Sequence, residues 1–156
     1  MPGSTPQQQL DSFIDKFTPQ IASQLRVAMA KMLARLPGAT MIVYDNYNAL
    51  AIGFGPGERA SDALFSLAAY PRWLSLFFVK NGAALSDPEH LLRGAGKVVR
   101  HIVLESAETL DRPAVKALME QAMRLADRSI DPALTARLIV KSVSARQRPR
   151  RPRTDS

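Results

Sequence analysis

The first forty residues place apolar side chains at helical spacing. Apolar residues recur at i, i+3, i+4 and i+7, which predicts one buried face of a helix. That face is made of Leu10, Phe13, Ile14 and Phe17. Thr18-Pro19 then favours a new helix start, with threonine as the cap and proline in the first turn. Pro37-Gly38 ends this second helix. The chain therefore predicts two helices before any strand.

From residue 40 to residue 104 the apolar period changes to two, which predicts β-strands. Short turn signals such as Asp45-Asn46 and Pro71-Arg72 separate neighbouring strands, and such turns favour antiparallel pairing. Asp87-Pro88 predicts a short helix over residues 87–92, which Gly94 ends. The predicted strands cover residues 41–44, 49–54, 64–70, 73–80 and 98–104.

The last third predicts a long helix and one more strand. Asp111 and Pro113 are typical of a helix start, and an apolar stripe continues to Leu125. Residues 138–143 alternate again, which suits an edge strand, with a final helical turn as the alternative. The predicted fold class is α+β, an antiparallel sheet of about five or six strands packed by N-terminal and C-terminal helices.

The net charge of +7 is a property of the C-terminus. Residues 141–156 hold six basic side chains and one acidic one, whereas the other 140 residues hold 15 basic and 13 acidic ones. We therefore expect a single domain over residues 7–143, with disorder in residues 1–6 and in a basic tail over residues 144–156.

Composition excludes several classes of chemistry. With no cysteine, the chain has no disulfide, thiolate metal site or cysteine nucleophile. Neither a secretory signal pattern nor an apolar run of membrane-spanning length is visible, so a cytoplasmic protein without membrane contact is expected. No recognisable catalytic constellation is visible, which favours a non-enzymatic protein.

One cluster of cations and aromatic residues suggests a ligand site. Cationic side chains next to aromatic rings near strand ends suit a small ligand with an anionic group or an aromatic ring. Solvated cations, a core histidine and core aromatic rings are the alternatives. The candidate residues are Tyr44, Tyr70, Trp73, Lys97, Arg100 and His101.

The glycine-containing segment beside this cluster is not a phosphate loop. The segment GAGK at residues 94–97 is followed by Val98, where a Walker motif needs serine or threonine. Its glycines also end a predicted helix, so the positive end of a helix dipole is absent.

Two further sets of charged residues are weaker candidates. Asp11 and Asp15 lie one helical turn apart and suit weak binding of a hard cation, with solvated surface as the alternative. The tail arginines suit contacts with nucleic acid or an acidic partner, and a solubilising tail is the alternative. They are Arg146, Arg148, Arg150, Arg151 and Arg153.

Over residues 10–153 the chain resembles the YdhG-like family, a bacterial family of domains of unknown function. The resemblance is carried by LPGA at 36–39, ERASD at 58–62, YPRWLSLFF at 70–78, GAGK at 94–97, VRHI at 99–102 and IVKSVSARQRPRRP at 139–152. It implies a frataxin-like sandwich of helices on a sheet. It also implies iron as a possible cargo, since some relatives are described as intracellular iron chaperones.

These observations lead to one expected function and two alternatives. We expect a YdhG-like domain that binds a small anionic or aromatic ligand, without catalysis and without a cofactor. Iron carriage is one alternative, and binding of nucleic acid or an acidic protein through the tail is the other. The oligomeric state is left open.

Overall fold

The computed structural model describes residues 4–152 and confirms the α+β class. Thr18 caps the second helix as predicted, because its hydroxyl accepts a hydrogen bond from the backbone N–H of Ile21 at 3.3 Å. The helices and strands are α1 (Pro6–Ile14), α2 (Pro19–Arg35), β1 (Thr40–Asp45), β2 (Leu50–Gly55), β3 (Phe65–Ala69), β4 (Leu74–Phe78), β5 (Arg100–Leu104), α3 (Pro113–Leu125) and β6 (Arg137–Val143).

The six strands form one sheet in the order β5-β4-β3-β2-β1-β6. The first five pair antiparallel with their neighbours, as predicted, but β6 pairs parallel with β1. The prediction of a wholly antiparallel sheet is therefore wrong at this pair. A long connection through α3 carries the chain from one edge of the sheet to the other, so no tight turn dictates the direction of β6. The edge position predicted for the last strand is confirmed.

One face of the sheet carries the large apolar side chains and packs against the helices. Phe54, Phe65 and Phe78 on β2, β3 and β4 are fully buried. The rings of Phe65 and Phe78 meet edge to face with centroids 5.5 Å apart. Leu25 on α2 and Val115 on α3 belong to the same core cluster. This core fixes the orientation of every strand, and hence which side chains face away from the helices.

The opposite face, here called the outer face, carries mainly small side chains. One row across the sheet consists of Tyr44, Ala51, Ala68, Ser75 and Val103, which are register partners on successive strands. Small side chains leave a shallow floor between the larger ones. The floor is closed at Ala68 and Ser75, which are 5% and 2% exposed, so contacts with other molecules are left to the residues at the end of this face.

The loop between β2 and β3 crosses the outer face over β1. Glu58 in this loop forms an ion pair with Arg137 on β6, and its carbonyl accepts a hydrogen bond from Lys141 at 3.5 Å. Because β1 lies between β2 and β6, the loop covers Ile42, which is fully buried on the outer face. The part of the outer face on β3, β4 and β5 is not covered in this way.

The short helix predicted over residues 87–92 does not form. The two carboxylate oxygens of Asp87 accept hydrogen bonds from the backbone N–H groups of Leu91 and Leu92 at 2.9 and 2.8 Å. His90 has a φ of 54°, which a right-handed helix does not contain. The Asp87 carboxylate thus binds the N–H groups of Leu91 and Leu92, which would otherwise donate to backbone carbonyls in a helix.

Asp62 joins the β2–β3 loop to the segment after α3. Its side chain is only 7% exposed and accepts hydrogen bonds from Arg128 at 2.9 Å and from the backbone N–H of Arg59 at 3.2 Å. Burial opposes ionisation, but the Arg59 N–H and the Arg128 guanidinium together outweigh it, so the pKa of Asp62 is lowered. Asp62 therefore stabilises the fold most when it is ionised.

We expect Asp62→Asn to weaken the dependence of stability on acid pH. Because the folded pKa lies below the unfolded value of about 3.9, the contribution is present above that value and is lost as pH falls through the folded pKa. The substitution should lower the free energy of unfolding at pH 7 and flatten its decline below about pH 4. Urea unfolding between pH 2.5 and pH 7 measures both effects. Asp127→Asn, at an exposed position, is the matched control, and an equal profile for the two variants would contradict the prediction.

Candidate functional site

Tyr70 and Trp73 form a stacked aromatic pair at one end of the outer face. They flank the Pro71-Arg72 turn between β3 and β4, and the N–H of Tyr70 donates to the carbonyl of Trp73 at 2.9 Å. Their ring centroids are 4.6 Å apart with an angle of 17° between the planes. Trp73 is 43% exposed. An exposed stacked pair of this kind offers an aromatic surface to the ring of a ligand.

Residues 144–152, here called the C-terminal arm, return from β6 to the turn between β1 and β2. The N–H of Ser144 donates to the carbonyl of Asp45 at 2.8 Å, and the N–H of Arg148 donates to the carbonyl of Tyr47 at 2.9 Å. The sequence predicts disorder here, so the structure differs from that expectation for residues 144–152. Arg153 lies outside the described residues.

Arg150 anchors the arm through a buried ion pair. Its guanidinium lies 2.8 Å from the carboxylate of Asp45, and the side chains are 3% and 1% exposed. The same group donates to the carbonyl of Asn46 at 2.5 Å and lies 5.8 Å from the ring centre of Phe17. A buried carboxylate at the end of β1 thus gives an arginine-rich segment a folded position. Arg150 is consequently not available to contact nucleic acid or an acidic partner, unlike the prediction from the sequence.

A cavity of about 820 Å³ separates the arm from the aromatic pair. Arg72 and Arg148 are exposed, and their guanidinium groups make no hydrogen bond or ion pair within residues 4–152. Arg151 instead donates to the carbonyls of Lys16 and Asp15 at 3.1 and 3.4 Å. The lining residues are Asn48, Tyr70, Pro71, Arg72, Trp73, Arg148, Pro149, Arg151 and Pro152. The arginine side chains and the aromatic rings therefore line the same cavity.

A second cavity of about 420 Å³ continues from the first toward the start of α2. The two cavities share Pro71, Arg72, Trp73 and Pro152. The rest of its lining combines polar side chains that include Gln20, apolar side chains that include Ile21 and Val103, and one acidic residue, Glu105. Together the cavities, here called the end groove, run along one end of the sheet.

The structure brings only part of the predicted ligand cluster together. Tyr70 and Trp73 are adjacent, but Arg100 pairs with Phe78 at the opposite end of β4. Its guanidinium donates to the carbonyls of Gly96 and Val99, so it is bonded to the loop that precedes β5. Lys97 is exposed in that same loop. Neither cation lines the end groove.

Tyr44 and His101 lie on the outer face, away from the helix-packed core. His101 stacks on Phe77, its register partner, with ring centroids 5.1 Å apart. Tyr44 aligns with Ala51, and its hydroxyl is buried without a hydrogen-bond partner among residues 4–152. The alternative of a histidine in the helix-packed core therefore does not hold, but His101 is also outside the end groove.

Asp11 and Asp15, the candidate ligands of a hard cation, each have a partner within the protein. Asp15 lies 2.8 Å from the guanidinium of Arg26, and Asp11 accepts a hydrogen bond from the amide of Gln7 at 3.1 Å. Within the described part of the chain, no group of three histidine or acidic side chains is placed to hold a metal ion. The two carboxylates would meet a hard cation with few oxygen ligands and a competing arginine.

Two important residues were missed by reasoning from the sequence alone. Arg72 occupies the turn between two aromatic residues, and that position could have identified it as a neighbour of both rings. Asp45-Asn46 indicates a turn in the sequence, whereas the alternation of β1 places the Asp45 side chain on the buried face with Met41 and Val43. A buried carboxylate requires a cationic partner, so the position of Asp45 on the buried face could have indicated a buried arginine or lysine elsewhere in the chain.

Comparison with known proteins adds no assignment. No protein-family model, curated protein or solved structure matches the chain. None of the helices within residues 4–152 has the length and hydrophobicity that crossing a bilayer requires.

Proposed function

We propose that this chain is a cytoplasmic binding domain of the YdhG-like type, and that its ligand combines a planar ring with an anionic group. The observation that supports this proposal is the Tyr70–Trp73 stack beside Arg72 and Arg148 in one cavity of about 820 Å³. That volume is within the range of small-molecule sites, roughly 300–1,000 Å³.

Each part of the cavity has a distinct task in this proposal. The exposed face of Trp73 stacks on the ring of the ligand, and Tyr70 holds the indole in place from the other side. The guanidinium groups of Arg72 and Arg148 bind the anionic group, which a planar fork of donors can contact through two hydrogen bonds. Asn48 adds one neutral hydrogen-bonding side chain to the lining.

We expect adenosine monophosphate to bind with a Kd below about 1 mM, and adenosine and inorganic phosphate to bind more weakly. Trp73 is the only tryptophan of the chain, so its fluorescence reports directly on the cavity. Titration with the three compounds separates the contribution of the ring from that of the anion.

The double variant Arg72→Ala/Arg148→Ala should weaken binding of adenosine monophosphate by about 10-fold or more, because hydrogen bonds to charged groups are the strong ones. Binding of adenosine should change little. Arg124→Ala, an exposed arginine on α3, is the matched control. The proposal fails if no compound alters the Trp73 fluorescence at millimolar concentration, or if the control weakens binding as much as the double variant.

A further inference from the structure

We propose that the end groove binds single-stranded nucleic acid, with one base stacked on Trp73 and neighbouring phosphates on Arg72 and Arg148. This inference rests on the proposed function, since it identifies the ring as a nucleobase and the anion as a phosphodiester. It goes further by assigning a polymer to the site in place of a free small molecule.

The length of the groove is the first observation in favour of a polymer. The cavity beside the arm and the cavity beside α2 meet at Trp73 and Arg72, so the aromatic platform lies at the middle of the groove. A ligand with a single ring needs only one of these cavities. A chain of nucleotides can continue from the platform in both directions, past Asn48 on one side and past Gln20 on the other.

Charge is the second observation. The lining of the two cavities contains three arginines and a single acidic residue, Glu105. The nearby carboxylate of Asp45 does not alter this balance, because Arg150 pairs with it in the interior. Arg72 and Arg148 line the same cavity as the aromatic pair. Their charges are not compensated by residues 4–152, which complements a phosphate backbone.

The aromatic platform selects for unpaired bases. A base stacks on Trp73 only when its face is free, and in a duplex the faces are occupied by neighbouring base pairs. Base stacking on aromatic residues together with a cationic groove is the usual basis of binding to single strands without strong sequence preference.

The test uses the full chain with fluorescein-labelled oligonucleotides, dT10 and U10, and a 10-base-pair DNA duplex as probes. In 50 mM salt, at least one single strand should bind 10-fold or more tightly than its mononucleotide and more tightly than the duplex. With two phosphates contacted, one by Arg72 and one by Arg148, a rise to 200 mM salt should weaken binding about 7-fold. Tighter binding of either dT10 or U10 supports the proposal and identifies the preferred sugar.

Variants separate the groove from general electrostatic attraction. Trp73→Ala should weaken binding of the oligonucleotide by about 5-fold or more. Arg72→Ala and Arg148→Ala should each reduce the salt slope by about 0.7. Lys97→Ala and Arg124→Ala remove exposed cations away from the groove and should leave both quantities unchanged.

Three results would overturn the inference. Equal affinity for oligonucleotide and mononucleotide would refute it while the proposed function stands. Duplex binding as tight as single-strand binding, with no effect of Trp73→Ala, would show nonspecific attraction to the positive charge. Absence of binding to any nucleotide or oligonucleotide would refute the inference and the proposed function together.

Discussion

Replacing Arg150 by methionine is expected to lower the free energy of unfolding by about 3–5 kcal/mol at neutral pH. Methionine keeps much of the apolar stem but leaves the carboxylate of Asp45, which is 1% exposed, without its cationic partner. An uncompensated buried charge costs far more than a lost surface ion pair. The side chain of Lys16 lies 3.8 Å from the other carboxylate oxygen, but it is half exposed and cannot fully replace the buried guanidinium.

Arg148→Met is the matched control, because it removes an exposed arginine two residues away on the same arm. Urea unfolding should show a loss within about 0.5 kcal/mol for this control. Equal stabilities for the two variants would mean that the arm is not anchored by the ion pair.

A double variant distinguishes the cost of the buried charge from the loss of packing. Asp45→Asn/Arg150→Met removes both charges, so we expect it to be less destabilised than Arg150→Met alone. Together with the single variant Asp45→Asn, this double variant completes a cycle that gives the coupling energy of the pair. A coupling energy near zero would show that the two side chains act independently.

The same ion pair links stability to the proposed ligand site. Arg150 is the buried anchor of the arm, and the neighbouring arm residues Arg148, Pro149, Arg151 and Pro152 line the end groove. Release of the arm would leave Tyr70 and Trp73 in place but remove one wall and one free arginine. We therefore expect Arg150→Met to weaken ligand binding as well as folding, although its guanidinium does not line either cavity.

The elements that the sequence predicted correctly depend on local patterns. Alternation within five or six residues identified the strands, and proline with glycine at 37 and 38 identified the end of α2. The proximity of Tyr70 and Trp73 could also be predicted, since a two-residue turn brings the flanking side chains together. Such features require no knowledge of the distant parts of the chain.

The features that were missed depend on contacts between distant residues. Arg150 and Asp45 are 105 residues apart, and an arginine in a proline-rich segment has no local feature that indicates a buried partner. The register between β4 and β5 places Arg100 opposite Phe78, and this alone separates it from Trp73. The parallel pairing of β6 likewise depends on the path through α3. The fold class could thus be predicted, whereas the composition of the site could not.

Gly38→Ala is expected to destabilise the fold by about 3 kcal/mol or more, because two separate costs coincide. Gly38 has a φ of +86°, a conformation that residues with a Cβ atom rarely adopt. A Cβ atom at this position would lie 1.9 Å from the backbone carbonyl oxygen of Asp131, so one of the two backbone segments must move. This contact joins the end of α2 to the residues before β6, and a shift there disturbs the pairing of β6 with β1. Gly96→Ala is the control, since its added Cβ would lie 3.9 Å from the nearest atom, the carbonyl oxygen of Val99. Thermal and urea unfolding should separate the two variants clearly, and a stable Gly38→Ala protein would contradict the close approach of these segments.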